Sequence, residues 1–319
     1  MCVAEEKAGR AWLFGGYGER PGNPPMRAVV NDLWCFENGK WNEVKDQGGP
    51  KPGPRLCTAA ALTSDGSELI LFGGWDPETP GTGGAILDDV WSLDLATRTW
   101  SQLEAPMPHG PTSRHVAVCV PGAGIVVHSF RCGETVLRFD EKERRLVEQP
   151  CAGTLPTSRG LHCAAAVGRE LVLFGGAAQS GAMVNDCFAL DTVTWTWREL
   201  AQGQGAKRPS PRAGSAACAV GGKFVISGGA EPPRSDLGLA GLVPRGDVWG
   251  LDLLAEGGWQ EIVDQEAPNA PAPRNAHTLT HIGEGKLVLH GGWHPFVRTY
   301  DDTTALAVTE TPTPTAQAA

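Results

Sequence analysis

The sequence predicts an all-β protein built from six copies of one four-stranded unit. Three observations carry this. A Gly-Gly step recurs after a short apolar run at Leu13-Phe14-Gly15-Gly16, Leu71-Phe72-Gly73-Gly74, Leu173-Phe174-Gly175-Gly176, Ile226-Ser227-Gly228-Gly229 and Leu289-His290-Gly291-Gly292, with a decayed sixth copy at Val127-His128-Ser129-Phe130. A motif with Asp at its second position opens a later apolar run in each clear copy, as in Asn31-Asp-Leu-Trp34, Asp88-Asp-Val-Trp91, Asn185-Asp-Cys-Phe188 and Gly246-Asp-Val-Trp249. A tryptophan then follows at Trp41, Trp100, Trp197 and Trp259. A repeat of this length is one supersecondary unit that cannot bury its own apolar face, so stacking of copies must make the core.

The second copy gives the strands in order. Cys57–Leu62 is a small apolar run ended by Ser64-Asp65-Gly66, and Glu68–Phe72 leads into the glycines. After a polar loop, Asp89–Asp94 alternates apolar and polar residues, and Arg98–Leu103 carries the tryptophan. Each piece has strand length and turn residues at its ends, and none has a helical period. These strands are a, b, c and d. Residues 141–149 have the composition of a charged helix, but copy three keeps the six-residue step from Asp140 to Leu146 that links Asp94 to Trp100, so they are expected to form a hairpin. Strand a follows a Pro-Arg or Ser-Arg signal at Arg55, Arg114, Arg159, Arg212 and Arg274, where proline presets an extended backbone. Copy one begins at strand a without this signal. Copy six has strands a, b and c but no tryptophan-bearing strand d, and it runs into Thr309-Glu-Thr-Pro-Thr-Pro-Thr.

The double glycine, the Asp-led strand c, the strand-d tryptophan and the Pro-x-Pro-Arg start resemble the kelch repeat over nearly the whole chain. The resemblance implies a six-bladed β-propeller with four antiparallel strands per blade around a central channel. The expected blades span 1–50, 51–108, 109–153, 154–206, 207–268 and 269–308, the last with three strands, in a single domain. Residues 309–319 are expected to be a disordered tail.

Composition narrows the function. The net charge of −9 opposes a nucleic-acid binder, which needs basic stripes. No stretch is long enough to cross a bilayer, the acidic start does not resemble a secretory signal, and no Asn-x-Ser/Thr acceptor occurs. A monomer of the cytosol or nucleus, without nucleic-acid or membrane partners, is expected. The nine cysteines form no Cys-x-x-Cys pair and read as small buried hydrophobes rather than zinc ligands.

In a four-stranded meander the b–c loops and d–a connections share one face. Those loops are long and unequal, which is where binding resides on a rigid ring. The candidate partner contacts are Tyr17, Arg20, Arg27, Trp75, Asp76, Arg131, Arg234, Arg245, Trp293, His294 and Arg298. Five recurring arginines (Arg55, Arg114, Arg159, Arg212 and Arg274) near the channel mouth would suit an anion or acidic peptide, but their regular spacing favours a structural tie in every blade. His162 and His277 share a slot with Thr58 and Ser215, and His128 and His290 replace the aromatic before the glycines. Both patterns favour structure over metal, and no metal or cofactor is expected. The leading expectation is a non-catalytic scaffold or adaptor that binds a protein or peptide. The alternative is an enzyme acting on a small molecule or sugar, as the mutarotase-, specifier- and oxidase-type kelch proteins do. Against it, the chain has only Tyr17 and Tyr300 for an oxidase-like copper site and no Glu-x-x-x-Asp-x-x-x-His string.

Overall fold

The computed structural model describes every residue except 21–25, 46–47, 81–82, 201–206, 235–237, 254–257, 269 and 309–319. The expected tail at 309–319 therefore lies outside the described residues. Six antiparallel sheets follow one another along the chain. Blade one has β1 (Cys2–Glu5), β2 (Arg10–Arg20), β3 (Met26–Glu37) and β4 (Lys40–Glu43). Blade two has β5 (Ala59–Leu62), β6 (Glu68–Asp76), β7 (Ala85–Asp94) and β8 (Thr99–Gln102). Blade three has β9 (Val116–Val120), β10 (Gly124–His128), β11 (Thr135–Asp140) and β12 (Arg145–Pro150). Residues 141–149 thus form a turn and a strand, as repeat alignment requires. Blade four has β13 (Cys163–Val167), β14 (Glu170–Phe174), β15 (Cys187–Asp191) and β16 (Thr196–Glu199). Blade five has β17 (Ala216–Val220), β18 (Lys223–Ser227), β19 (Val248–Asp252) and β20 (Trp259–Val263). Blade six has three strands, β21 (Thr278–His281), β22 (Lys286–His290) and β23 (Thr303–Ala307).

Strand a is innermost in every blade. Each strand a lies beside those of both neighbours, blade six beside blade one, so the sheets close into a propeller. Two details depart from the sequence reading. Ala152–Gly153, expected in blade three, pairs in parallel with β16 and adds a fifth strand to blade four. The long loops expected after strand b of blades one and two are β-ribbons, because β2 and β3 stay paired out to Arg20↔Met26 and β6 and β7 out to Asp76↔Ala85. Both ladders slip by one residue at the glycines, a bulge that redirects the strand.

The blades interlock through rings. The strand-d tryptophan lies against the residue before the double glycine of the preceding blade. The centroid distances are 5.2 Å for Trp100–Phe14, 5.8 Å for Trp197–His128, 5.2 Å for Trp259–Phe174 and 4.9 Å for Trp41–His290. Edge-on and tilted contacts of this kind add to the area they bury. They also explain the two histidines. The slot needs a flat ring, and imidazole supplies one. At the ring closure Trp41 donates its Nε1–H to Thr303 Oγ1 at 3.0 Å.

The glycine pair is required twice over. Both members have positive φ in all five clear copies, for example 65° and 95° at Gly175 and Gly176. Their neighbours also approach closely: a Cβ on Gly176 would lie 2.7 Å from Gly160 O and 2.8 Å from His162 N. The second glycine also joins blades, since its N–H donates to the connector of the next blade at Gly16→Arg55 O, Gly74→Thr112 O, Gly176→Arg212 O and Gly229→Arg274 O, all between 2.9 and 3.1 Å. Gly181 shares the positive φ, at 85°, but a Cβ there meets nothing within 4 Å. Gly181→Ala should therefore cost about 1 kcal/mol, from backbone strain alone. Gly176→Ala should cost roughly 3 kcal/mol or more, and the difference between the two denaturant midpoints measures the close approach.

Candidate functional site

Hydrogen bonding places the connectors and the b–c segments on one face. The residues entering strand a pair with those leaving strand b, at Leu56↔Trp75, Ala213↔Ala230, Asn275↔Trp293 and across Arg159–Gly160 with Ala177–Ala178. In these four blades the connector is thus stitched over the start of its own blade, and an arginine stands at or just before the stitch.

Four of the five arginines make one motif. Arg55, Arg159, Arg212 and Arg274 are buried, and each grips the Asp that leads strand c: Asp89, Asp186, Asp247 and Asp302. Both carboxylate oxygens are engaged, at 2.6 and 3.0 Å for Arg212–Asp247 and at 2.8 and 2.9 Å for Arg274–Asp302. Nη1 also donates to the carbonyl of the first glycine (Gly73, Gly175, Gly228 or Gly291), and Nε to the carbonyl two residues upstream. A planar fork satisfied on every side is what makes a buried guanidinium tolerable. Burial pushes the Asp247 carboxyl up, but the bonds from Arg212 and Trp249 outweigh it and hold that carboxyl below its ordinary range.

Arg114 corrects the sequence reading. It does not occupy the arginine slot, which blade three gives to buried Thr112, and the Asp slot opposite is Thr135. Both members of the ion pair are replaced together. Thr112 keeps one of the lost bonds, since its hydroxyl donates to Gly110 O at 2.8 Å. Arg114 stands two residues later, where the chain turns left-handed, as do Cys57, Leu161, Gly214 and Ala276, with φ between 51° and 70°. These residues are linked in a belt, Arg114 N→Cys57 O, Leu161 N→Arg114 O, Gly214 N→Leu161 O and Ala276 N→Gly214 O, at 2.8–3.0 Å. Four non-glycine residues are thereby held in a strained region, at the channel mouth just ahead of the innermost strands. Directly beneath the belt lie Thr58, His115, His162, Ser215 and His277. With Arg114 misplaced, the sequence reading missed His115 as a member of this slot.

The family model described as the KLHDC2/KLHL20/DRC7 Kelch-repeats domain matches residues 1–128 and 123–312. This chain belongs to the kelch-repeat family. An F-box/kelch-repeat protein of Arabidopsis thaliana is 33% identical over 271 residues, covering 82% of this chain and 44% of that protein. Adagio-like protein 1 of Oryza sativa subsp. japonica is 29% identical over 307 residues, covering 89% of this chain and 45% of its own length. The chain thus spans less than half the length of these relatives. The solved structure of YjhT superposes with a TM-score of 0.66 at 16% identity, over 92% of this chain and 95% of that one, a likeness of fold.

On this kelch propeller the candidate contacts fall into separate clusters. Trp75 donates its Nε1–H to Gly83 O, and the Arg114 guanidinium lies 5.4 Å from its ring centre. Asp76 caps its own turn through Glu78 N and Thr79 Oγ1. Exposed Arg131 lies over Phe130 at 5.0 Å. In blade five Arg234 pairs with Glu231 at 3.0 Å, and Arg245 sits 3.5 Å from the same carboxylate and 3.8 Å from Asp247. In blade six Trp293 meets Phe296 at 6.0 Å, Arg298 covers Tyr300 at 4.9 Å, and His294 pairs through its backbone with Arg298. Tyr17 projects from the blade-one ribbon. Arg20 and Arg27 contribute backbone positions there, and their side chains lie outside the described residues. The sequence reading missed Ile86, Phe296 and Val297. With Tyr17 they are the large hydrophobics exposed on this face, at 44%, 67%, 70% and 48%. Their apolar type inside otherwise polar loops was the available signal.

Among the described residues, no three His, Cys, Asp or Glu side chains converge as metal ligands would. His128 and His162 share a hydrogen bond, Nδ1 to Nε2 at 3.0 Å. Burial lowers the pKa of His115 to about 4 and of His128 and His277 to about 3, and puts His162 well below its ordinary value.

Two expectations follow. Arg212→Thr alone leaves Asp247 buried without its cation and should cost about 3–5 kcal/mol. Adding Asp247→Thr, the pair that blade three uses, should recover much of that loss in a double-mutant cycle. Second, His115, His128, His162 and His277 stay neutral in the fold but protonate in the unfolded chain below its pKa near 6.5. Their contribution is complete above that pH and falls as the pH drops towards 4. Unfolding free energy should decline by about 1 kcal/mol for each of these histidines between pH 6.5 and 5.5, and His277→Ser should remove about 1 kcal/mol of that decline.

Proposed function

We propose that this chain is a non-catalytic protein-interaction module, acting as a scaffold or adaptor, whose b–c and d–a face takes a partner protein or peptide. The observation that carries the reading is the exposure of Tyr17, Ile86, Phe296 and Val297 on that one face, beside the Arg114–Trp75 stack at the channel mouth. Aromatic and arginine side chains standing among polar loops are the usual anchors of protein interfaces. The recurring arginines, whose spacing favours a structural tie, are in four cases saturated by aspartate, which leaves exposed Arg114 as the cation of that set open to a ligand.

The net charge of −9 favours a protein partner over nucleic acid. No helix is long and apolar enough to cross a membrane among the described residues. The reading includes a monomer acting in the cytosol or nucleus. The enzyme alternative has no specific observation in its favour.

The test is affinity capture from a cell extract with the parent chain and with Phe296→Asp/Val297→Asp, at two exposed positions. Loss of specific partners from the double variant, at unchanged melting temperature, is expected. Identical partner sets would overturn the proposed face.

A further inference from the structure

Among the described residues blade six has three strands. Gly291 N donates to Asp302 O, and Val308 N donates to Gly285 O. These bonds bracket the β22–β23 ladder, so Asp302, Thr304, Leu306 and Val308 turn their backbone groups inward and Thr303, Ala305 and Ala307 turn theirs outward. Among the described residues nothing pairs with that outer edge. The strand itself, Thr303-Thr-Ala-Leu-Ala307, has no charge, no proline and no bulge. None of the devices that usually blunt a free edge is present.

Beside the edge lies a groove of about 240 Å³ between blades five and six, lined by Val248, Ile262 and Val263 on one side and residues 305–308 on the other. An apolar cavity of about 150 Å³ already takes a benzene ring. The other five blades show what belongs there. The strand-c residue equivalent to Leu306 faces a large apolar side chain of strand d in each: Phe36↔Trp41, Leu93↔Trp100, Phe139↔Leu146, Leu190↔Trp197 and Leu251↔Trp259. That side chain enters the gap towards the preceding blade. The groove continues the same inter-blade interface, and no described strand fills it.

We propose that this edge receives an extended segment of a partner polypeptide, which completes blade six as its fourth strand and seats a tryptophan or similarly large apolar side chain in the groove. The pattern it must carry is written in the chain's own fourth strands, Lys40-Trp-Asn-Glu43, Thr99-Trp-Ser-Gln102 and Thr196-Trp-Arg-Glu199. Residues 309–319 carry Pro312 and Pro314, and neither they nor β23 of a second copy has an aromatic residue. Strand addition of this kind draws affinity from the main chain and specificity from the alternate side chains. It lies on the rim of the disc, apart from the loop face.

The probe is a labelled synthetic peptide with the sequence of Thr97–Ala105, titrated against the full chain by fluorescence anisotropy. Saturable one-to-one binding is expected. It should weaken at least tenfold for Ala305→Pro, which removes only an outward N–H, for Ile262→Glu in the groove, and for a peptide with serine in place of its tryptophan. Phe296→Asp/Val297→Asp should bind the peptide as the parent does, which separates this site from the loop face. Each variant is to match the parent in circular dichroism and melting, and Ile262→Glu serves where Ala305→Pro does not. Absence of saturable binding, or equal binding by the edge and groove variants, would overturn the proposal. So would a parent dimer that Ala305→Pro dissociates, since the occupant would then be a second copy.

Discussion

Each connector between blades runs across the open end of a sheet, where backbone groups have left their ladder and must find partners. The arginine that begins the connector resolves this in four blades. The carbonyls of Arg55, Arg212 and Arg274 accept the second-glycine N–H of the blade before, and all four guanidinium groups fix the strand-c aspartate and first-glycine carbonyl of their own blade. One residue therefore sets the spacing between two sheets and the entry angle of the next. The glycine pair is the necessary counterpart, because in blades two, four and five a side chain at either position would push the connector away. The belt of left-handed residues two positions further on follows from this fixed entry.

The conserved geometry of the clamp also explains how one blade dispenses with it. A buried cation without its anion is far more costly than the absence of both. Blade three lacks both, and Thr112 and Thr135 stand in their places. Ser227 offers a parallel on the apolar side. It is the one small residue in the slot that otherwise holds a ring, and it faces the blade that has three strands among the described residues. In these two places the loss falls on both partners, the arginine with its aspartate and the ring with the strand that would cover it.

Much of this architecture was legible in the chain because the repeat multiplies each weak signal. The glycine step, the aspartate before strand c and the tryptophan of strand d identified the blades, and the six-residue register at Asp140–Leu146 assigned a charged segment to a hairpin against its own composition. The same reasoning failed at Arg114. A Ser-Arg dipeptide there imitates the Ser158-Arg159 start, and only the hydrogen-bond register reveals that the slot belongs to Thr112. The ribbons of blades one and two were hidden as well, because Gly- and Pro-rich segments read as loops while cross-strand pairing is long-range. Of the candidate face, the arginines and tryptophans were visible by type. Which of them were already committed to partners was not, since Glu231 and Asp247 approach Arg234 and Arg245 only in the folded chain.

The two ribbons carry a consequence for recognition. They rise from neighbouring blades and are tied to each other where Val29 N donates to Glu78 Oε1 at 3.1 Å. A ring of near-identical modules would otherwise present six equivalent azimuths to an incoming molecule, and rotational averaging would dilute any preference. A paired wall on one sector removes that degeneracy. It gives the disc a single bearing, so that whatever settles on it does so in one orientation.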